Sequence, residues 1–156
     1  VGMAEAAAMS AAMLGEWFSV VTFSPVMTRW YSDCIVATGL AARFTGVRAP
    51  ARHDADLATV AQDMRADLVE LARRAVREDG ADVVILGGAP LSGLGPRIAA
   101  DVPAIVVDPI AAAVAQAMTL ASLGLNFAGR AGKPIPKASV GLTPSPSKII
   151  AKEGAA

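Results

Sequence analysis

The sequence predicts an α/β domain: a parallel sheet of about four strands with helices on both faces. Three observations carry this. Short runs of strand formers alternate with helical periodicity over residues 1–125, and such alternation builds a parallel sheet. "DVVILG" (82–87) and "PAIVV" (103–107) read as apolar strands, as strands covered on both faces do. Ser-Pro and Asp-Pro pairs stand where helices should begin and glycines where they should end.

Residues 3–14 are strong helix formers, and Gly15 stops them. "WFSVVTF" (17–23) is short and β-rich, a first strand. Ser24-Pro25 opens a helix that ends near Gly39, because serine accepts from free N–H groups and proline suits the first turn. "ARFTGV" (42–47) is a second strand. Leu57, Val60, Ala61, Met64, Leu68, Leu71, Ala72 and Val76 then recur at steps of three and four. Asp54 and Asp56 at their start, Arg77 near their end and Gly80 after them match an amphipathic helix and its dipole. "DVVILG" is the third strand, a short helix around 96–101 follows, and "PAIVV" is the fourth. Asp108-Pro109 opens a last helix, to about Gly124. The crossovers should be right-handed.

Pro109 to Gly129 contains no charge, yet Gln116, Thr119, Ser122 and Asn126 interrupt it and Asp108 and Arg130 flank it. It is expected to be a buried helix of a soluble domain, not a membrane span. Residues 126–156 hold Pro134, Pro136, Pro144 and Pro146, four glycines and five basic residues. The organisation expected is therefore an α/β domain over 1–125 and a Pro/Gly-rich basic tail over 126–156, wrapping a surface or reaching a partner.

At 156 residues the chain suits one compact domain, with a core of Ala, Val, Leu, Ile and Met because only 4% of residues are aromatic. Lys plus Arg equals Asp plus Glu at 14 each, so no net field draws in nucleic acid or an anionic membrane, and neither is expected as a partner. A single cysteine, Cys34, excludes an internal disulfide and suits a reducing, cytoplasmic setting. "VGMAEAAAMSAAMLG" at the start has no basic leader of the kind a signal peptide carries.

In an open parallel sheet, ligands bind beyond the carboxyl ends of the strands. Three such ends carry groups of interest. Thr22, Phe23 and Ser24 offer hydroxyls beside a helix start, able to hold a carboxylate or imide oxygen; Ser24 is alternatively only a cap. Gly87, Gly88, Ala89 and Pro90 form a turn whose amides can make an anion nest without reactive side chains, or one that simply packs tightly. Asp108-Pro109 reads first as a cap. The loop "GGAPLSGLG" lacks the dinucleotide spacing, and no Gly-Lys-Ser/Thr is present, so neither a dinucleotide nor a P-loop site is expected. His53 stands without a second metal ligand nearby, so no metal is expected. Cys34 reads as a small core residue of a helix.

"GMAEAAAMSAAMLGEWFSVVTFS", "REDGADVVILGGAPLSGL" and "VPAIVVDPIAAAVAQAMTLASLGL" together resemble the aspartate/glutamate/hydantoin racemase superfamily, nearest its hydantoin racemases. The resemblance runs in order along nearly the whole chain and extends to "KPIPKASVGLTPS". It implies one half of a two-domain architecture, the second domain plus tail, with the first domain and its cysteine preceding Val1. It implies cofactor-independent racemisation of an amino acid or a cyclic derivative such as a hydantoin. In that chemistry two thiols, one per domain, exchange a proton at an acidic α carbon while amides and hydroxyls hold the enolate-like charge. The partners implied are a small-molecule substrate, that first domain and further copies of the chain in a homo-oligomer. Thr22, Phe23, Ser24, Gly87, Gly88, Ala89 and Pro90 would line the cleft, and Glu5 matches a recurrent position.

The family pattern Leu-Gly-Cys-Ala-Gly departs here to Leu86-Gly87-Gly88-Ala89-Pro90, so Gly88 occupies the second-thiol position. Two alternatives follow: a single-thiol decarboxylase-type lyase, and a non-catalytic accessory or binding protein resembling the superfamily's hydrogenase-expression members. A cysteine restored at 88 is expected to raise proton exchange.

Overall fold

The computed structural model describes residues 1–51 and 56–124, and Val1–Leu123 form one compact unit. At its centre β1 (Phe18–Thr22), β2 (Phe44–Arg48), β3 (Val83–Gly87) and β4 (Ile105–Val107) make an all-parallel sheet in the order β2-β1-β3-β4. This is the α/β fold that the alternation predicts. The chain leaves β1 for β2 on one side and reaches β3 on the other. The carboxyl ends of β1 and β3 therefore flank the point where strand order reverses, with Thr22 opposite Gly87.

Alternation along the strands divides the core in two. Val21, Val84 and Leu86 pack under α3 (Val60–Asp63) and α4 (Arg65–Asp79), where Val60, Leu68, Ala72 and Ala75 are buried. Phe18, Val20, Val83 and Ile85 pack on the opposite face against α1 (Met3–Leu14) and α2 (Thr28–Ala37), through Ala7, Ala8, Ala11, Tyr31 and Ile35. The helix expected over 57–76 is two helices, broken at Met64 (ψ 11°), and the break keeps both Val60 and Leu68 in the core. The segment after Ser24 begins as a 3-10 turn, Pro25–Met27, before α2, and the Ser24 side chain makes no capping hydrogen bond.

Asp108 does cap. Its carboxylate accepts from the amides of Ile110 (2.9 Å) and Ala111 (3.2 Å) at the start of α6 (Pro109–Ser122), and from Gly93 (2.6 Å) on the loop after β3. Between β3 and β4 the short helix is α5 (Gly95–Ile98), continued by a 3-10 turn over Ala99–Asp101. Asp82 fastens the other end of β3 by accepting from the amides of Glu16 and Trp17, both at 3.0 Å.

Two expectations of burial are not met. Ile105 of β4 is 45% exposed, because β4 is an edge strand of three residues. The uncharged α6 buries only Pro109, and Met118 is 69% exposed. Standing beside that edge, α6 is held on one side by α1, where Gln116 Nε2 donates to Ala6 O (2.8 Å) and Ser10 Oγ (3.1 Å). Among the described residues no helix is long and apolar enough to cross a membrane. His53 and the 126–156 tail lie outside the described residues.

Candidate active-site cavity

The turns after β1 and β3 lie side by side, because the two strands pair in parallel up to Thr22 and Gly87. Gly87 is needed there: a Cβ at 87 would stand 2.8 Å from the Tyr31 ring and from Val20. Gly88 has φ +138°, a conformation that side-chain-bearing residues rarely adopt, and a Cβ would run into the Phe23 ring. A cysteine at 88 thus requires both the turn and Phe23 to move.

Beneath this turn, on the α1/α2 face, lies a cavity of about 480 Å³. Val20 and Ile85 form its floor. Gly87, Gly88 and Ala89 form one rim, and Pro109 adjoins. The amino end of α1 forms a second rim through Gly2, Met3, Ala4 and Glu5. The first amides of a helix have no partner within it, so this rim carries N–H donors and the positive end of the helix dipole. Glu5, in the first turn, adds a carboxylate. The far wall is α2, with Trp30, Tyr31, Cys34, Ile35, Ala37 and Thr38.

The polar groups of that wall are subdued. Burial, with a smaller contribution from Cys34, pushes the Tyr31 hydroxyl up to about 12. Burial, then the negative charge of Asp33, pushes the Cys34 thiol up, so it stays protonated at neutral pH. The Thr38 hydroxyl donates to Ile35 O (2.7 Å) and accepts from Leu40 N (3.3 Å). Among the described residues no cluster of three or more His, Cys, Asp or Glu stands ready to hold a metal ion.

Of the residues singled out from sequence, Gly87, Gly88 and Ala89 line the cavity, while Thr22, Phe23, Ser24 and Pro90 do not. Thr22 and Ser24 are buried beside the turn, and their hydroxyl oxygens have no hydrogen-bond partner. Leaving a buried hydroxyl unpaired costs about 1–3 kcal/mol. Cys34, read as a core residue, is half-buried on the cavity wall. Tyr31, Cys34, Ile35 and Thr38 recur at helical spacing, and that period was the available signal for this wall.

The sequence profile of the family described as Asp/Glu/Hydantoin racemase matches residues 1–117. Hydantoin racemase from Paenarthrobacter aurescens is 29% identical over 129 residues, covering 80% of this chain and 52% of that protein. Hydantoin racemase from Pseudomonas sp. (strain NS671) is 29% identical over 124 residues, covering 80% and 50%. Among solved structures, allantoin racemase from Pseudomonas fluorescens superposes with a TM-score of 0.75 at 34% identity, over 90% of this chain and 61% of that one. Allantoin racemase from Klebsiella pneumoniae gives 0.75 at 25%, over 90% and 58%. The chain spans about half the length of the curated relatives it matches.

Proposed function

The chain belongs to the Asp/Glu/hydantoin racemase family, and from that premise we propose that it forms one wall of a cofactor-independent racemase site for a cyclic amino-acid derivative of the hydantoin type. One observation carries the reading. The amide-rich end of α1, with Glu5, and the Gly87–Ala89 turn line a single cavity at the strand switch point. A neutral cyclic diamide suits that pairing: its carbonyls accept from the rim amides, and a ring N–H donates to Glu5. A free amino acid or other carboxylate substrate fits less well, because its charge would sit near that of Glu5. This counts against the lyase alternative, whose substrate must carry a carboxylate to lose.

The reaction follows from the ring. The substituted ring carbon lies next to a carbonyl, so removing its proton gives an enolate, and amides aimed at the ring oxygen hold the developing charge. The chain supplies no thiol at the turn, since Gly88 stands there, so proton removal is assigned to a thiol on the polypeptide that completes the cleft, and the proton that reaches the opposite face of the enolate is assigned to solvent water on the Gly88 side. That polypeptide is the first domain, and the assembly is a homo-oligomer in the cytoplasm. Residues 126–156 are read as a separate tail on the domain of residues 1–125. The unpartnered Thr22 and Ser24 hydroxyls are read as further donors, reached when the turn engages substrate. Gly88 also favours a second reading, a binding protein without turnover.

Two measurements test this. Loss of the ring C–H signal of a hydantoin in heavy water, with the assembled protein, supports racemase chemistry. Binding without any exchange supports the second reading. Thr22→Val is isosteric and removes an unpaired hydroxyl. It should raise unfolding stability by about 1 kcal/mol while weakening hydantoin binding. Unchanged binding would remove Thr22 from the site.

A further inference from the structure

Tyr31 is the chain's single tyrosine, and α2 sets it against the turn after β3. A Cβ at Gly87 would stand 2.8 Å from both Cε2 and Cζ of its ring. Cζ carries the hydroxyl, so the polar tip of the phenol lies beside the backbone that leads from Gly87 into Gly88. The residue is only 7% exposed and lines the cavity, yet its hydroxyl makes no hydrogen bond among the described residues. For packing alone a phenylalanine would serve better, because a desolvated hydroxyl without a partner costs free energy. We propose that the Tyr31 hydroxyl is a ligand donor, hydrogen-bonding the ring carbonyl next to the substituted carbon beside the Gly88 and Ala89 amides; this rests on the reading of the cavity as the hydantoin site.

Among the polar groups of the α2 wall, Tyr31 is set apart by being both buried and uncommitted. The Thr38 hydroxyl is engaged as donor to Ile35 O and acceptor from Leu40 N. The Cys34 thiol is a weak hydrogen-bonding group. The Trp30 indole belongs to a side chain 49% exposed, whose N–H water can serve. Burial, with a smaller contribution from Cys34, pushes the Tyr31 hydroxyl up to about 12, so at neutral pH it keeps the proton it would donate. A ring carbonyl, which only accepts, is the complement of that group. The phenol is also held in place: Gly87 and Val20 crowd its tip, and Trp30 packs edge-on against it with ring centroids 4.8 Å apart. A donor fixed before the ligand arrives loses little freedom on binding. As the carbonyl oxygen gathers enolate charge the bond strengthens, because hydrogen bonds to charged groups exceed neutral ones.

The single tyrosine makes the test specific. With tyrosine isotopically labelled at Cζ, the 156-residue chain gives one such NMR resonance. Titration with hydantoin should move it downfield, the direction of a phenol that donates more strongly; a side chain that only packs would leave it in place. By calorimetry, Tyr31→Phe, which keeps the ring and removes the hydroxyl, should weaken hydantoin about fivefold. Sulfur accepts hydrogen bonds poorly, so 4-thiohydantoin, altered at the carbonyl beside the substituted carbon, should bind more weakly than hydantoin. That penalty should be about fivefold larger in the unaltered chain than in the Tyr31→Phe variant, while the penalty for 2-thiohydantoin should be the same in both. A resonance unmoved at saturating hydantoin, or unchanged affinity in the folded variant, overturns the Tyr31 assignment and leaves the site standing. Coupling to the sulfur of 2-thiohydantoin instead overturns the choice of carbonyl. Where the variant fails to fold, the resonance of the unaltered chain decides alone. Failure of hydantoin to bind the unaltered chain overturns the site reading itself, and the donor with it.

Discussion

The two faces of the sheet are built differently. On the α4 face, Leu68, Ala72 and Ala75 are fully buried and the outer surface is laced with ion pairs. Arg48 reaches both Asp79 (2.6 Å) and Glu78 (2.7 Å), Arg74 holds Glu78, Arg77 holds Glu70, and Arg65 holds Asp101. On the opposite face α1 and α6 meet through small residues, the cavity opens between α1 and α2, and Met13, Val114 and Met118 face outward. One face is finished as a globular surface; the other keeps the empty space and the uncommitted donors. The same sheet thus has one face closed by packing and ion pairs and another that holds the cavity.

The sharpest way to break this comparison is to damage each face in turn. Leu68→Ala should lower unfolding stability by about 2–5 kcal/mol, the cost of a core cavity, and leave hydantoin affinity unchanged in the folded fraction. Gly87→Ala should cost less, about 1–3 kcal/mol from overpacking against Tyr31 and Val20, and abolish binding. Urea unfolding and calorimetry read the two effects; an affinity loss in the first variant as large as in the second would dissolve the distinction.

A smaller effect separates the faces by pH. Glu78, on the α4 face, has its carboxyl held low, first by its hydrogen bond to Arg74. A depressed carboxylate stabilises the fold above its ordinary titration, and that contribution is lost as pH falls through its folded value. Tyr31, on the cavity face, is raised from 10.0 to about 12 by burial, so the folded state holds a proton that the unfolded state gives up. Its contribution is complete below about pH 10 and disappears as pH rises toward 12. Thermal melts should show Glu78→Gln flattening the acid limb only and Tyr31→Phe flattening the alkaline limb only.

Much of this architecture was legible because it follows from local pattern. The alternation of "WFSVVTF", the long 57–76 period and "DVVILG" is enough to order strands and helices, and the glycine pair at 87–88 marks the turn that ends β3 at the cavity. Periodicity reports which residues share a face but not what covers that face. This is why the uncharged α6 looked buried although it flanks an edge strand, and why Cys34 looked like core although its wall borders empty space. Glu5, a single carboxylate in an alanine-rich helix, carries no pattern of its own, and only the family resemblance points to it. The break at Met64 lies inside an unbroken period, and tertiary packing of Val60 decides it.

The most direct test of the central claim is an amide NMR titration of the chain with hydantoin. The account predicts the largest shifts at Gly87, Gly88, Ala89 and the first turn of α1 around Glu5, with the α4 amides still. Shifts centred on α4, or none at the Gly87–Ala89 turn at saturating ligand, would contradict it.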